Sequence, residues 1–406
     1  MKTFLQPLQN LAEMEEIQKQ AKKNCGILEI SGCMESQKAH LMYGLSGLFP
    51  CHLVIAADEK SAKELYEDYR FYDKRVYYYP AKDLLFFQAD IHGNLLIRQR
   101  MQVIRALLER EDEITVVTSI DGCMDYLAPL EKIEKQLIHF RNDSTLDMDK
   151  LTAALVHMGY ERVGQVEMPG QLSIRGGIID IYSLTEENPW RIELWGDEID
   201  SIRSFDAQSQ RSLENLDDVT IYPAAEQPME KNGVSFLDYF KETETLFFLD
   251  ELNHLEENAK AVQEEFQQSC ENRKEKGEIS LSGDWMCTWE ELCHKINDRN
   301  CVAMSLLDPK KSNWKISGQF NITVKSMSSY QSSFELLVKD LKQYKKEGYQ
   351  IVLLSGSRTR AERLAKDLQE EGLNAFYGQD SDRILQPGEI RSEERRVGKE
   401  CRSRWS

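Results

Sequence analysis

No apolar run in the 406-residue sequence approaches the ~18 residues that a membrane-spanning helix needs. The opening Met1-Lys2-Thr3-Phe4-Leu5-Gln6-Pro7 has no apolar stretch suited to a signal peptide. A cytoplasmic location and no membrane partner are the resulting expectations. The nine cysteines are odd in number and form no Cys-x-x-Cys pair, so neither a zinc knuckle nor a secreted disulfide framework is indicated. Buried or incidental thiols remain. There is no internal repeat of fixed period and no low-complexity segment, which excludes solenoids and tracts of biased composition. Positive charge is scarce as well: 51 Lys and Arg face 69 Asp and Glu, and the net charge of −18 opposes nonspecific phosphate binding by the chain as a whole. Any contact with nucleic acid has to be local.

What is present is an ordinary folding composition. With 41% hydrophobic and 30% charged residues, 22 Gly and 10 Pro, collagen-like, coiled-coil and disordered classes all fit poorly. At roughly 150 residues per domain the length argues for two to four domains. From Gly26 to about His139, short β-rich runs (Ile27 to Ile30, Leu53 to Ala56, Val76 to Tyr79, Ile114 to Thr118) alternate with charged amphipathic stretches, the layout of a parallel α/β domain. Near Leu146 the pattern changes. A helix over Asp147 to Met158, with Gly159 as its C-cap, precedes closely spaced strands with tight turns at Pro169-Gly170 and Gly196-Asp197.

The expected fold class is therefore α/β and multidomain: a P-loop-like parallel domain over 1–144, an inserted small α+β domain with a largely antiparallel sheet over 145–223, and a mainly helical remainder over 224–328 that holds one strand candidate, Thr245 to Leu249. A partial further α/β unit follows over 329–390, with helix Phe334 to Lys346, strand Gln350 to Leu354, helix Thr359 to Glu371 and strand Asn374 to Tyr377. Its few strands lead to the expectation of a truncated chain. Residues 391–406 carry six basic and three acidic side chains and read like translated vector or adapter sequence, so they are set aside as a tail; a native basic tail for nucleic acid is the alternative.

Gly32-Cys33-Met34-Glu35-Ser36-Gln37-Lys38-Ala39 lies between a strand and a helix, where a phosphate-binding loop G-x-x-x-x-G-K-[ST] would lie. Gly32 and Lys38 keep the spacing. Gln37 replaces the second glycine, whose flexible backbone lets amides wrap the phosphates, and Ala39 replaces the hydroxyl that holds magnesium. Glu35 adds a carboxylate where phosphate oxygens would sit. Leu246-Phe247-Phe248-Leu249-Asp250-Glu251 has the form of a Walker B strand, with Asp250 and Glu251 where an ATPase holds magnesium and polarises water. With Ala39 in place, a buried strand with acidic residues at its solvent end, or a relic of an ancestral ATPase, is favoured over catalysis. Asp250 to His254 lacks the first histidine of H-E-x-x-H, so no metal site and no catalytic residue are assigned.

The most specific sequence lies in the second segment: Gly159-Tyr160-Glu161-Arg162-Val163, then Pro169-Gly170-Gln171-Leu172-Ser173-Ile174-Arg175-Gly176-Gly177-Ile178-Ile179-Asp180-Ile181-Tyr182, then Arg191-Ile192-Glu193-Leu194-Trp195-Gly196-Asp197. Side chains alternate along a strand, so Arg191, Glu193 and Trp195 share a polar face and Ile192 and Leu194 the other. Arginine beside a large aromatic on a polar face is the composition of a protein–protein hot spot, which Arg175 would join if its strand is adjacent. The bland alternative has Trp195 covering its own sheet edge while Arg191 pairs with Glu193 or Asp197. Pattern alone leaves these two equal.

These segments, with Phe205-Asp206, Gln210-Arg211-Ser212 and Ile221-Tyr222-Pro223-Ala224, resemble the region shared by the excision-repair protein UvrB and the bacterial transcription-repair coupling factors. The degenerate phosphate loop, and Tyr79-Pro80 followed by Asp83-Leu84-Leu85, resemble the coupling factors more; UvrB keeps an intact loop and a long aromatic hairpin. The resemblance implies a UvrB-like module that docks UvrA through Arg175, Arg191 and an aromatic at Trp195, where this chain has Trp in place of a smaller ring. It implies a non-enzymatic adaptor that needs no cofactor of its own. ATP and magnesium would serve the helicase-like motor, which with the polymerase-binding domain would contact RNA polymerase and duplex DNA beyond this stretch. The rival is a UvrB-like ATPase that binds damaged DNA directly. A third role, restraint of the motor by covering the UvrA-binding face, is compatible with the first.

Overall fold

The computed structural model describes residues 2–23, 26–82, 94–225, 233–276, 286–307, 314–324, 330, 333–378 and 383–394. The Asp83 to Leu85 segment lies outside the described residues.

Seven parallel strands form the central sheet in the order Ile316–Asn321, Gly26–Ser31, Asn300–Ser305, Thr245–Asp250, Cys51–Ala56, Ile114–Ser119 and Val76–Tyr79. The near-continuous apolar runs of the inner strands follow from burial on both faces, whereas the edge strand Ile316–Asn321 alternates in burial. Alternate residues feed two separate cores. Ile27, Leu53, Ile55, Val116, Phe247 and Leu249 pack towards the helices Leu252–Glu275 and Trp289–Asn297. Leu28, Ile30, Val54, Val117, Leu246 and Phe248 pack towards Met14–Lys23, Glu35–Leu45 and Glu59–Tyr69. All four strands expected before residue 120 are present within a residue or two of the expected limits.

The 224–328 segment departs from its mainly helical description. It is helix-rich, but it also supplies Thr245–Asp250, Asn300–Ser305 and Ile316–Asn321 to the parallel sheet, two of them near its centre. The chain on either side of the insert therefore builds one domain.

The insert is entered and left through an antiparallel pair, Ile138–Arg141 with Asp218–Ile221. Between them helix Met148–His157 starts at Asp147, whose side chain accepts the Lys150 N–H at 3.2 Å, and ends at Met158, with Gly159 just beyond at φ +93°. A six-stranded sheet follows in the order Ser212–Leu216, Glu198–Phe205, Trp190–Trp195, Ile178–Ile181, Gln171–Arg175, Glu161–Arg162, antiparallel except for the last pair. One face buries Leu172, Ile179, Ile181, Ile192 and Ile202 against Leu151, Leu155 and Met158 of the helix. The opposite face is polar. Tyr222 donates to Glu109 at 3.1 Å, and Arg105 pairs with Glu186, tying the insert to helix Asn94–Glu109 of the parallel domain.

The last unit is a three-stranded parallel sheet in the order Ile351–Ser355, Ile390–Glu394, Ala375–Tyr377, with helices Phe334–Lys346 and Arg358–Glu370. Four residues of the segment set aside as a tail fall within this sheet. Arg391 to Glu394 continue the middle strand, and Arg391 and Ser392 are fully buried because neighbours pair on both sides. Residues 395–406 lie outside the described residues. Among the described residues no helix is long and apolar enough to cross a membrane, and no group of side chains is arranged to hold a metal ion.

Candidate functional site

Two places gather the residues that the sequence singles out. The first is at the C-terminal end of the parallel strands, where Gly26–Ser31 turns into helix Glu35–Leu45. Gly32 holds φ +80°, and a Cβ there would lie 2.1 Å from the Ile322 carbonyl oxygen, so the close approach of the edge strand requires glycine. Lys38 is completely buried. Its Nζ donates to Asp250 Oδ1 at 2.6 Å and Glu251 Oε1 at 2.8 Å, with Glu35 Oε1 at 3.4 Å. Burial works against the ammonium, but Asp250 and then Glu251 outweigh it and hold the Lys38 pKa above the ordinary lysine value.

Glu251, in a left-handed conformation at φ +53°, uses the same oxygen to accept the Leu306 N–H at 2.8 Å. The lysine that would reach phosphates and the acids that would hold magnesium thus satisfy each other. Ala39 is buried and offers no hydroxyl, and Gln37 Oε1 is buried without a hydrogen-bond partner. These residues do not fit a nucleoside triphosphate with its magnesium: the cation is already neutralised and the metal-holding hydroxyl is missing. Lys38, Asp250, Glu251 and Glu35 are brought together as an ion-pair cluster, while Gly32 lies against Ile322.

The second place is the polar face of the insert's sheet. Two-residue turns set its shape: Gly176-Gly177 joins Arg175 to Ile178 and Gly196-Asp197 joins Trp195 to Glu198, each with a left-handed glycine first, at φ +60° and +64°. Both turns lie at the same end of the sheet, because Leu194 N donates to Gly177 O at 2.8 Å. Register then aligns Ser173, Asp180, Arg191, Arg203 and Asn215 in one row across five strands.

Within that row the wholly buried Asp180 accepts Arg191 Nε at 2.7 Å and Arg191 Nη2 at 2.9 Å, and also Arg175 Nη2 at 2.7 Å. Arg191 lies over the Phe205 ring at 4.4 Å and donates to Gln210 Oε1 at 3.1 Å. Only 16% of its side chain is exposed, against 48% for Arg175. Glu193 pairs with Arg203 instead, so neither acid expected beside Arg191 is its partner. Trp195 stands at the hairpin end, 83% exposed, about 13 Å along the strand from Arg191. Thus Arg175 and Arg191 converge on one carboxylate, and Trp195 is displayed farther out on the same face.

Asp180, Phe205 and Gln210 are the site residues that sequence reasoning did not assign. Asp180 and Arg191 alternate onto the same face of their strands, but only the pairing of those two strands opposes them.

Comparison with known proteins gives these two places a context. Residues 138–226 match the UvrB interaction domain family, a span that starts at the entering strand and ends just past the leaving one. The chain is 28% identical to the transcription-repair-coupling factor of Bacillus subtilis (strain 168), over 89% of this chain and 37% of that protein. It is 34% identical to the factor of Staphylococcus aureus (strain MRSA252) and 35% to that of Staphylococcus haemolyticus (strain JCSC1435), each over 40% of this chain and 14% of the relative. The chain therefore spans well under half the length of these relatives. The chain is thus similar to the UvrB interaction domain over residues 138–226 and, over the spans given, to transcription-repair-coupling factors.

Proposed function

We propose that this chain is the UvrB-like N-terminal region of a transcription-repair coupling factor and that it acts as a non-enzymatic adaptor, recruiting UvrA to lesion-stalled RNA polymerase. The supporting observation is the polar face of the insert: two arginines sharing one buried carboxylate leave a net positive charge, and a tryptophan that is 83% exposed stands at the hairpin end of the same face, in a chain of net charge −18. An exposed indole on the same sheet face as the guanidinium forks, about 13 Å farther along the strand, suits a partner surface that offers carboxylates and, apart from them, a pocket for a large ring. On this reading ATP-driven translocation on duplex DNA belongs to the rest of such a factor, and the present stretch turns over no nucleotide. The Lys38 cluster supports that second point.

The test uses the full chain and purified UvrA. Arg191 is a poor first target, since reversal to Glu would set a second carboxylate against buried Asp180 and disturb the fold itself. Trp195→Ala changes an exposed group, and Arg175→Glu leaves the two Arg191–Asp180 hydrogen bonds in place, its half-exposed position letting the new carboxylate turn to water. Each is expected to weaken UvrA binding by about 30-fold, the size of a hot-spot truncation, with unchanged circular dichroism. Unaltered affinity in both variants rejects the face. ATP hydrolysis by the purified chain, abolished by Lys38→Ala, would favour the UvrB-like ATPase that binds damaged DNA directly.

A further inference from the structure

The insert's polar face holds a fully buried acid among cations. Three of the roughly four acceptor positions of the Asp180 carboxylate are filled by guanidinium N–H groups, two from Arg191 and one from Arg175. Arg191 alone would neutralise Asp180. A second arginine, half exposed and reaching across from the neighbouring strand, adds nothing to charge balance and leaves the cluster one positive charge in excess. What the arrangement does achieve is orientation. A guanidinium on a flexible stem loses rotamer freedom when it is immobilised in an interface, and one already fixed on the free protein avoids that loss. Arg191 is fixed further by Phe205 beneath it and Gln210 beside it.

We infer that Asp180 is a positioning residue for the docking face: it holds the guanidinium groups of Arg175 and Arg191 in the orientation in which they meet an acidic partner, and makes no contact with that partner itself. The inference rests on the UvrA-docking reading and adds to it a buried group that acts through the two arginines. It selects for a partner patch whose carboxylates match a fixed, paired arrangement.

The experiment compares the full chain with its Asp180→Asn, Arg175→Ala and Asp180→Asn/Arg175→Ala variants for UvrA affinity, with Trp195→Ala and Arg175→Glu run alongside. Asp180→Asn is expected to weaken binding roughly tenfold, and the double variant to be little weaker than the stronger single one, since both changes remove the same arranged pair. Unchanged affinity in Asp180→Asn, or losses that simply add, overturns the positioning role. Should Asp180→Asn fail to fold, nitrogen-15 relaxation of arginine side chains in the free wild-type chain decides: an ordered Arg191 Nε–H supports the inference and a freely mobile one overturns it. If Trp195→Ala and Arg175→Glu both bind UvrA normally, the docking reading itself has failed, an outcome distinct from failure at Asp180 alone.

Discussion

Replacing Lys38 with Met tests whether the degenerate loop is a nucleotide site or a structural clasp. The substitution keeps the length of the buried stem and removes the ammonium. At an effective dielectric of about 20, charges 2.6 and 2.8 Å apart attract by about 6 kcal/mol each before desolvation is subtracted. The quantity that survives is smaller: breaking a buried pair by removing one partner costs about 3–5 kcal/mol, because the remaining charge has no compensation. Asp250 is 5% exposed and Glu251 20%, so water reaches one acid better than the other, and the lower end of that range is expected.

The pH dependence has a definite sign. In the wild type the raised Lys38 pKa stabilises the fold below the ordinary lysine value near 10.4, and that contribution is lost as pH climbs through the folded-state value. In Lys38→Met, burial pushes the Asp250 carboxyl up with no cation opposing it. The folded variant then binds a proton more readily than the unfolded chain, so its stability recovers as pH falls. Urea denaturation at pH 8 and pH 5, with hydrogen exchange followed along Thr245–Asp250, should show the larger deficit at pH 8. A loss below about 1 kcal/mol at pH 8, or an equal deficit at both pH values, refutes the clasp.

Other consequences are as direct. Gly32→Ala should destabilise the parallel domain by more than about 2 kcal/mol, measured by urea denaturation, since left-handed backbone and a 2.1 Å approach to Ile322 O act together; a neutral variant would mean that the edge strand moves freely. Burial pushes the Cys33 and Cys287 thiols up to about 12 and Cys123 well above its ordinary value. At pH 8 these three should resist alkylation in the native chain and react on denaturation, as mass spectrometry of iodoacetamide-treated protein would show.

Much of the framework was legible locally. Runs such as Leu53 to Ala56 and Ile114 to Thr118 are apolar and β-branched enough to specify buried parallel strands. Asn300–Ser305 and Ile316–Asn321 are poorly legible: the first mixes polar ends with a short apolar middle, and the second is an edge strand that alternates strictly in burial but has only Ile316 and Phe320 as apolar markers. Arg391 to Glu394 has no strand pattern at all. Its conformation comes from neighbours on both sides.

The polar face was readable from alternation within Trp190–Trp195, whereas Asp180 needed the register between two strands joined by an eight-residue connection. The clasp was visible only in halves. Lys38 and Asp250 are 212 residues apart, and their meeting depends on sheet order.

That sheet order also bears on synthesis. Gly26–Ser31, apolar and destined for complete burial, has as its partners Asn300–Ser305 and Ile316–Asn321. A nascent chain must carry this strand unpaired while about 270 further residues emerge, tens of seconds at ribosomal rates. The insert can fold in that interval, but the domain around it cannot close. Holding chaperones would find a target in Gly26–Ser31 throughout that interval.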